Sequence, residues 1–211
     1  MAKPRKSKST AGTGAAKDAA GPRAKPPGVI DATMTLIGGR GWHQVALADI
    51  AAASNTSLAE LHAAYPSKQA ILSAFIRQID AAMLAGPALE GSPRERLFEL
   101  IMRRLDALDP YKPGVEALLR GLPCDPVASI CIVGDAMNAM GWMLEAAGLE
   151  SQGVRGMLRR KGLAVIYAAT LRVWVGDESE DLAKTMAALD RHLKRAEMLV
   201  SSLPGQRRSH A

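Results

Sequence analysis

The chain has 211 residues, 48% of them hydrophobic and 23% charged, which is the composition of a globular protein large enough to bury a core. Aromatic residues make up only 4%, which argues against a base-stacking platform for single-stranded nucleic acid. Its two cysteines, Cys124 and Cys131, cannot build a disulfide framework and lack the spacing of a zinc site. A reduced, cytoplasmic setting with no metal, no cofactor and no catalytic group is therefore the expectation.

The formal net charge of +6 is concentrated at the start of the chain. Residues 1–26 hold Lys3, Arg5, Lys6, Lys8, Lys17, Arg23 and Lys25 against Asp18, so the remainder is neutral overall. This stretch reads as a disordered basic arm. After Met1 no large apolar residue precedes Val29, which excludes the apolar region of a secretory signal and the amphipathic helix of a transit peptide. Such an arm suits contact with phosphate or another anionic surface, or serves as a solubilising tail. The longest apolar run, Leu163 to Val175, contains Arg172 and is too short to span a membrane.

Everything after the arm reads as helix. Val29, Ile30, Met34, Leu36 and Ile37 follow a helical period, which is expected to stop at Gly38-Gly39. Ala46 to Ala53 forms a short helix. Ser54-Asn55 is a turn, and a second short helix runs from Ser57, its N-cap, to Ala64. Pro66-Ser67 opens a longer helix whose Ile71, Leu72, Phe75, Ile76, Ile79 and Met83 form a buried stripe. Gly86-Pro87 and Gly91 mark a boundary, and Ser92-Pro93-Arg94-Glu95 is a strong helix start. Further helices are expected at Val115 to Leu122, Asp125 to Ala147, Val154 to Val175, and from the Asp177–Glu180 cap to about Ser201. No segment reads as a strand, so the fold class is all-α. The domains run 27–86 and 92–201, with a short tail at 202–211.

In the last helix Leu182, Met186, Leu189, Leu193, Ala196 and Val200 make an a/d seam. The preceding helix is apolar nearly all round, with Val165 and Leu171 among its large residues. A helix of that kind needs cover on every side. Val165, Leu171, Leu182, Met186, Leu189 and Leu193 are thus candidates for a homodimer interface, with a monomer core as the other reading.

Two short helices joined by a tight turn and followed by a long one form a helix-turn-helix arrangement, whose second helix enters the major groove of double-stranded DNA. The stretch from Val45 to Leu72 resembles the TetR family of bacterial transcriptional regulators. Asp49-Ile50-Ala51, Ser57, Leu61 and Tyr65-Pro66-Ser67-Lys68 carry the resemblance. It implies an all-helical, TetR-like fold of about nine helices, a dimer, DNA binding in the N-terminal third and ligand sensing behind it. It also makes Ser57, Leu58, Glu60, His62, Tyr65 and Lys68 the DNA-binding candidates, Lys68 matching the family's phosphate-contacting lysine. Ala46 replaces the usual Thr, Glu60 a small polar residue and His62 an aromatic. Residues 27–90 carry three bases against five acids, a net charge of −2.

Arg96 to Leu193 resembles a second family, the coenzyme Q biosynthesis accessory proteins. The matching pieces are Arg103 to Leu108, Trp142, Arg160, Leu163 to Tyr167, Asp177 to Asp181, Thr185 and Leu189-Asp190-Arg191. Those are TetR-like lipid-binding proteins that have given up DNA binding. Both resemblances imply a chamber for a hydrophobic small molecule or lipid in this half. Met102, Met137, Met140, Trp142, Met143, Tyr167 and Trp174 are its candidate lining, with Val165 beside them, and core filling is the other reading of these residues. Two functions stay open: a ligand-responsive regulator, a repressor by family habit, and a lipid-binding accessory protein for ubiquinone synthesis that does not bind DNA.

Overall fold

Helix starts are written into the backbone chemistry of this chain. The computed structural model describes residues 28–202. The basic arm, the tail after Ser202 and the side chains of Val200, Ser201 and Ser202 lie outside the described residues. Nine α-helices and no strands are found among them. These are α1 (Val29–Arg40), α2 (Leu47–Ala53), α3 (Leu58–Ala64), α4 (Lys68–Leu84), α5 (Pro93–Leu108), α6 (Lys112–Gly121), α7 (Pro126–Ala146), α8 (Gly153–Val175) and α9 (Ala183–Ser202). Ser57 and Ser92 each form a reciprocal capping box with the Glu three residues on. Asp125 caps α7 by accepting from the Ala128 N–H at 3.0 Å. At α2, Ala46 has no side-chain acceptor to offer, and Asp49 supplies the remaining half of the cap by accepting from the Ala46 N–H at 2.9 Å. Asn55 takes the left-handed conformation expected of the turn, with φ 54°.

Two boundaries differ from the sequence expectation. α1 does not stop at Gly38-Gly39 but continues to Arg40 and ends at Gly41, φ 83°. Gly38 is helical where α1 lies against α6 at close range, while Gly39 faces open space. A Cβ on Gly38 would meet the Gly114 nitrogen at 3.1 Å, and one on Gly114 would meet the Met34 carbonyl oxygen at 2.7 Å. α6 accordingly begins three residues before the predicted Val115, with Pro113 in its first turn. Gly114→Ala is expected to cost about 1–3 kcal/mol, because backbone rather than a flexible side chain must give way. Urea denaturation measures it.

A single apolar core runs through the molecule. Trp42, Ile37, Ile50, Leu61 and Ile71 fill the N-terminal head, and Leu100, Ile101, Leu105, Met140, Trp174 and Leu189 continue it through the C-terminal helices. Among the described residues α7, not the longer α8, is long and apolar enough to cross a membrane by length and composition alone. It carries Asp135, which accepts a hydrogen bond from the Ser73 hydroxyl at 2.5 Å, and it packs against α4, α5 and α8.

Asp177 organises the turn into α9. Its carboxylate accepts from the Ser179 hydroxyl at 2.5 Å, from the Thr185 hydroxyl at 2.7 Å and from the Thr185 N–H at 2.9 Å. Those donors, Ser179 first, hold its pKa well below the ordinary carboxylate range. A depressed carboxylate contributes stability that is present above its unfolded pKa, about 3.9, and lost as the pH falls through the folded one. Asp177→Asn should therefore flatten the loss of stability below about pH 4. Denaturation midpoints taken across the acid range check this.

Candidate functional site

Two surfaces are built by this fold, a helix-turn-helix face and a half-open apolar chamber. Six of the seven residues of α3 are exposed, and only Leu61 is buried beneath them. None of the described residues covers the outer face of this helix. Leu58, Glu60 and His62 point to solvent, Ser57 is its cap, and Tyr65 is half-buried against the core. The Glu60 carboxylate accepts from the Ser57 N–H and from its hydroxyl, each at 2.8 Å. Those bonds lower its pKa, so α3 carries a negative charge at its start.

Lys68, the expected phosphate-contacting lysine, is bonded inward through two of its N–H groups. Its Nζ donates to the carbonyls of Trp42 at 2.8 Å and Val45 at 2.9 Å, and lies 3.9 Å from the centre of the Trp42 ring. Burial lowers its pKa. The lysine thus ties the start of α4 to the 3-10 turn Trp42–Gln44, and two of its three N–H bonds are used inside the head. Of the other two bases in residues 27–90, Arg40 is ion-paired with Asp49 at 3.5 Å and Arg77 lines a cleft beside α7.

Behind the head, α4, α5, α6, α7 and α8 enclose a cavity of about 460 Å³. α4 contributes Leu72, Phe75, Ile76 and Ile79, and α6 contributes Val115, Leu118 and Leu119. Arg104 and Tyr167 are the two lining side chains with polar atoms. Arg104 is 4% exposed, ion-paired with Asp80, and donates from Nε to the Tyr167 hydroxyl at 3.1 Å. Val133 and Val165 line the cavity and are also solvent-exposed, which places its mouth between α7 and α8.

Only part of the expected lining is there. Met137, Met140, Tyr167 and Val165 face the chamber. Met143 and Trp174 are buried in the core elsewhere, and Met102 is half-buried against it. Trp142 is exposed at the rim of a separate polar cleft with Arg77, Asp135, Glu145 and Arg160. Sequence reasoning missed Arg104 and the α4 residues. The apolar stripe of α4 was legible, but a stripe does not say whether it meets a packed core or a void.

The expected dimer residues divide in the same way. Leu189 and Leu193 are buried inside the chain, where α9 packs on α8 and α5. Leu182 and Met186 are half-buried beside them, and Leu171 lines the chamber. The seam of α9 closes within the protomer because α8 and α5 supply its partner face. Val165 remains exposed, at 70%.

Residues 29–75 match the family model described as bacterial regulatory proteins, tetR family. Residues 133–200 match the COQ9 family model. Among solved structures, a TetR transcriptional regulator from Nitrosomonas europaea superposes with a TM-score of 0.66 at 27% identity, over 81% of this chain and 96% of that one. A TetR transcriptional regulator from Rhodococcus sp. RHA1 gives 0.60 at 18% identity, covering 83% and 94%. One from Streptomyces coelicolor gives 0.56 at 19%, covering 84% of each chain. The fold is TetR-like, and the head carries the tetR-family signature. No curated protein matches the chain.

In TetR-like terms, α2 and α3 are the helix-turn-helix and α4 joins it to the C-terminal helices. Cys124 and Cys131 are exposed free thiols outside both surfaces. Among the described residues no group of three or more His, Cys, Asp or Glu is placed to hold a metal.

Proposed function

We propose that this protein is a ligand-responsive, DNA-binding transcriptional regulator of the TetR type that acts as a homodimer. The observation that carries the reading is the position of α4. Its start is bonded to the head through Lys68, and its middle, from Leu72 to Ile79, forms one wall of the chamber. α6 makes a second connection, packing on α1 and lining the same chamber. A molecule filling the chamber thus meets the two helices that hold the reading head. It shifts the head only in so far as it binds one arrangement of α4 and α6 better than the other.

The dimer face on this reading is the outer side of α7 and α8. Val127, Ile130 and Val133 on α7, and Leu158 and Val165 on α8, form exposed apolar positions of the kind that mark association sites. A second copy over these helices would also cover the chamber mouth. The double variant Ile130→Asp, Val165→Asp is expected to halve the mass seen by light scattering while leaving helical content unchanged.

The test of the reading is binding to duplex DNA from upstream of the protein's own gene, set against scrambled duplex across a salt series. Sequence-selective, saturable binding that weakens when a chamber ligand is added supports it. A second reading, a lipid-binding accessory protein without DNA binding, is favoured by the inward-turned Lys68, the Glu60 charge and the COQ9 match over residues 133–200. Lipid carried by the protein together with binding that ignores DNA sequence would select it.

A further inference from the structure

The geometry points to an uncharged amphiphile with one hydrogen-bond acceptor, a long-chain ester or ketone rather than a fatty acid, as the chemical class the chamber takes. This rests on the reading of the chamber as the ligand site. Of its lining side chains, Arg104 alone carries a charge, and Arg104 is already neutralised by its buried ion pair with Asp80. No other lining residue from α4, α5, α6, α7 or α8 is Lys, Arg, Asp, Glu or His. An anionic head group brought to Arg104 would therefore face the Asp80 carboxylate as well. It would leave one buried negative charge without a counter-ion, which low-dielectric surroundings penalise heavily.

A neutral acceptor meets the opposite situation. The Tyr167 hydroxyl accepts from Arg104 Nε at 3.1 Å, and no hydrogen bond donated by that hydroxyl is found among the described residues. Tyr167 lines the chamber beside Arg104, so its O–H is a polar hydrogen available to a ligand, together with the Arg104 Nη2 N–H groups that neither Asp80 nor Tyr167 holds. The bond from Arg104 polarises the hydroxyl and strengthens it as a donor. The remaining wall is aliphatic and aromatic, from Leu72, Phe75 and Ile79 round to Leu118, Met137 and Met140. That wall selects a hydrocarbon body.

The experiment uses the full chain loaded with Nile red and three competitors sharing one hydrocarbon length: methyl laurate, lauric acid and dodecane. Methyl laurate is expected to displace the dye at least tenfold more effectively than laurate at pH 7.5. Laurate should improve as the pH is lowered and its carboxyl is protonated. Tyr167→Phe should cut the advantage of methyl laurate over dodecane by about fivefold, the worth of one neutral hydrogen bond. Laurate binding as well as the ester at pH 7.5, or a Tyr167→Phe variant with an unchanged ester-to-alkane ratio, would overturn the inference. The comparison of ester with acid on the unsubstituted protein stands even where that variant fails to fold. Failure of all three competitors overturns it together with the chamber reading. Loss of the DNA result alone leaves it standing.

Discussion

Removal of residues 1–26 is expected to lower affinity for the protein's own upstream DNA by about a thousandfold at moderate salt, and to flatten the salt dependence. The reason is where the charge lies. Residues 27–90 carry a net charge of −2, and their three bases are ion-paired (Arg40), bonded inward (Lys68) or placed in a cleft beside α7 (Arg77). Phosphate attraction supplies much of the affinity of any DNA-binding protein, with a salt slope of about −0.9 per phosphate neutralised. The seven bases of residues 1–26 are the cations left to provide it. The slope of log affinity against log salt should therefore fall by up to about six units when they are removed. Sequence preference, measured as the ratio of own to scrambled duplex, should survive better than affinity, because α3 stays in place to read bases. An affinity and slope untouched by the truncation would refute this account of the charge. Binding without sequence preference in the full chain would move the protein to the lipid-accessory reading.

The second large effect concerns Asp80. Asp80→Asn should destabilise the protein by about 3–5 kcal/mol, since it strips the counter-ion from an arginine buried in the core. Arg104 is 4% exposed, and its other bond goes to a neutral tyrosine, so nothing else at that site balances its charge. Replacing both partners, Asp80→Leu with Arg104→Met, should recover most of the loss, because a well-packed apolar pair avoids the desolvation of two ions. Urea denaturation of the three variants measures this. The same substitution has a consequence for ligand choice. With Asp80 neutral, Arg104 becomes an unpaired cation at the chamber wall, and laurate should gain on methyl laurate wherever the variant is folded.

The local features of this fold were legible because local chemistry decides them. Ser57-x-x-Glu60 and Ser92-x-x-Glu95 place caps where they are found, and Asn55 takes the left-handed turn. In α3 the sequence offers two large apolar residues, Leu58 and Leu61, and only the packing shows that Leu61 is the buried one. Gly38-Gly39 misled for a physical reason. A glycine pair weakens an isolated helix, but here Gly38 permits the approach of α6, and the packing outweighs the propensity.

Residue types and period by themselves determined the all-helical class, the helix-turn-helix, the basic charge of residues 1–26 and the apolar character of the C-terminal half. Tertiary structure alone decided what each apolar stripe faces. The α9 seam meets α8 and α5 of its own chain, α4 lines a half-open chamber, and the outer sides of α7 and α8 are covered by none of the described residues. Tertiary structure also turned Lys68 into a brace and joined Asp80, Arg104 and Tyr167 across three helices. Hydrophobic attraction is non-directional, so a stripe specifies that a face is buried and not by what. Hydrogen bonds and ion pairs between residues far apart in sequence exist only once the helices are docked.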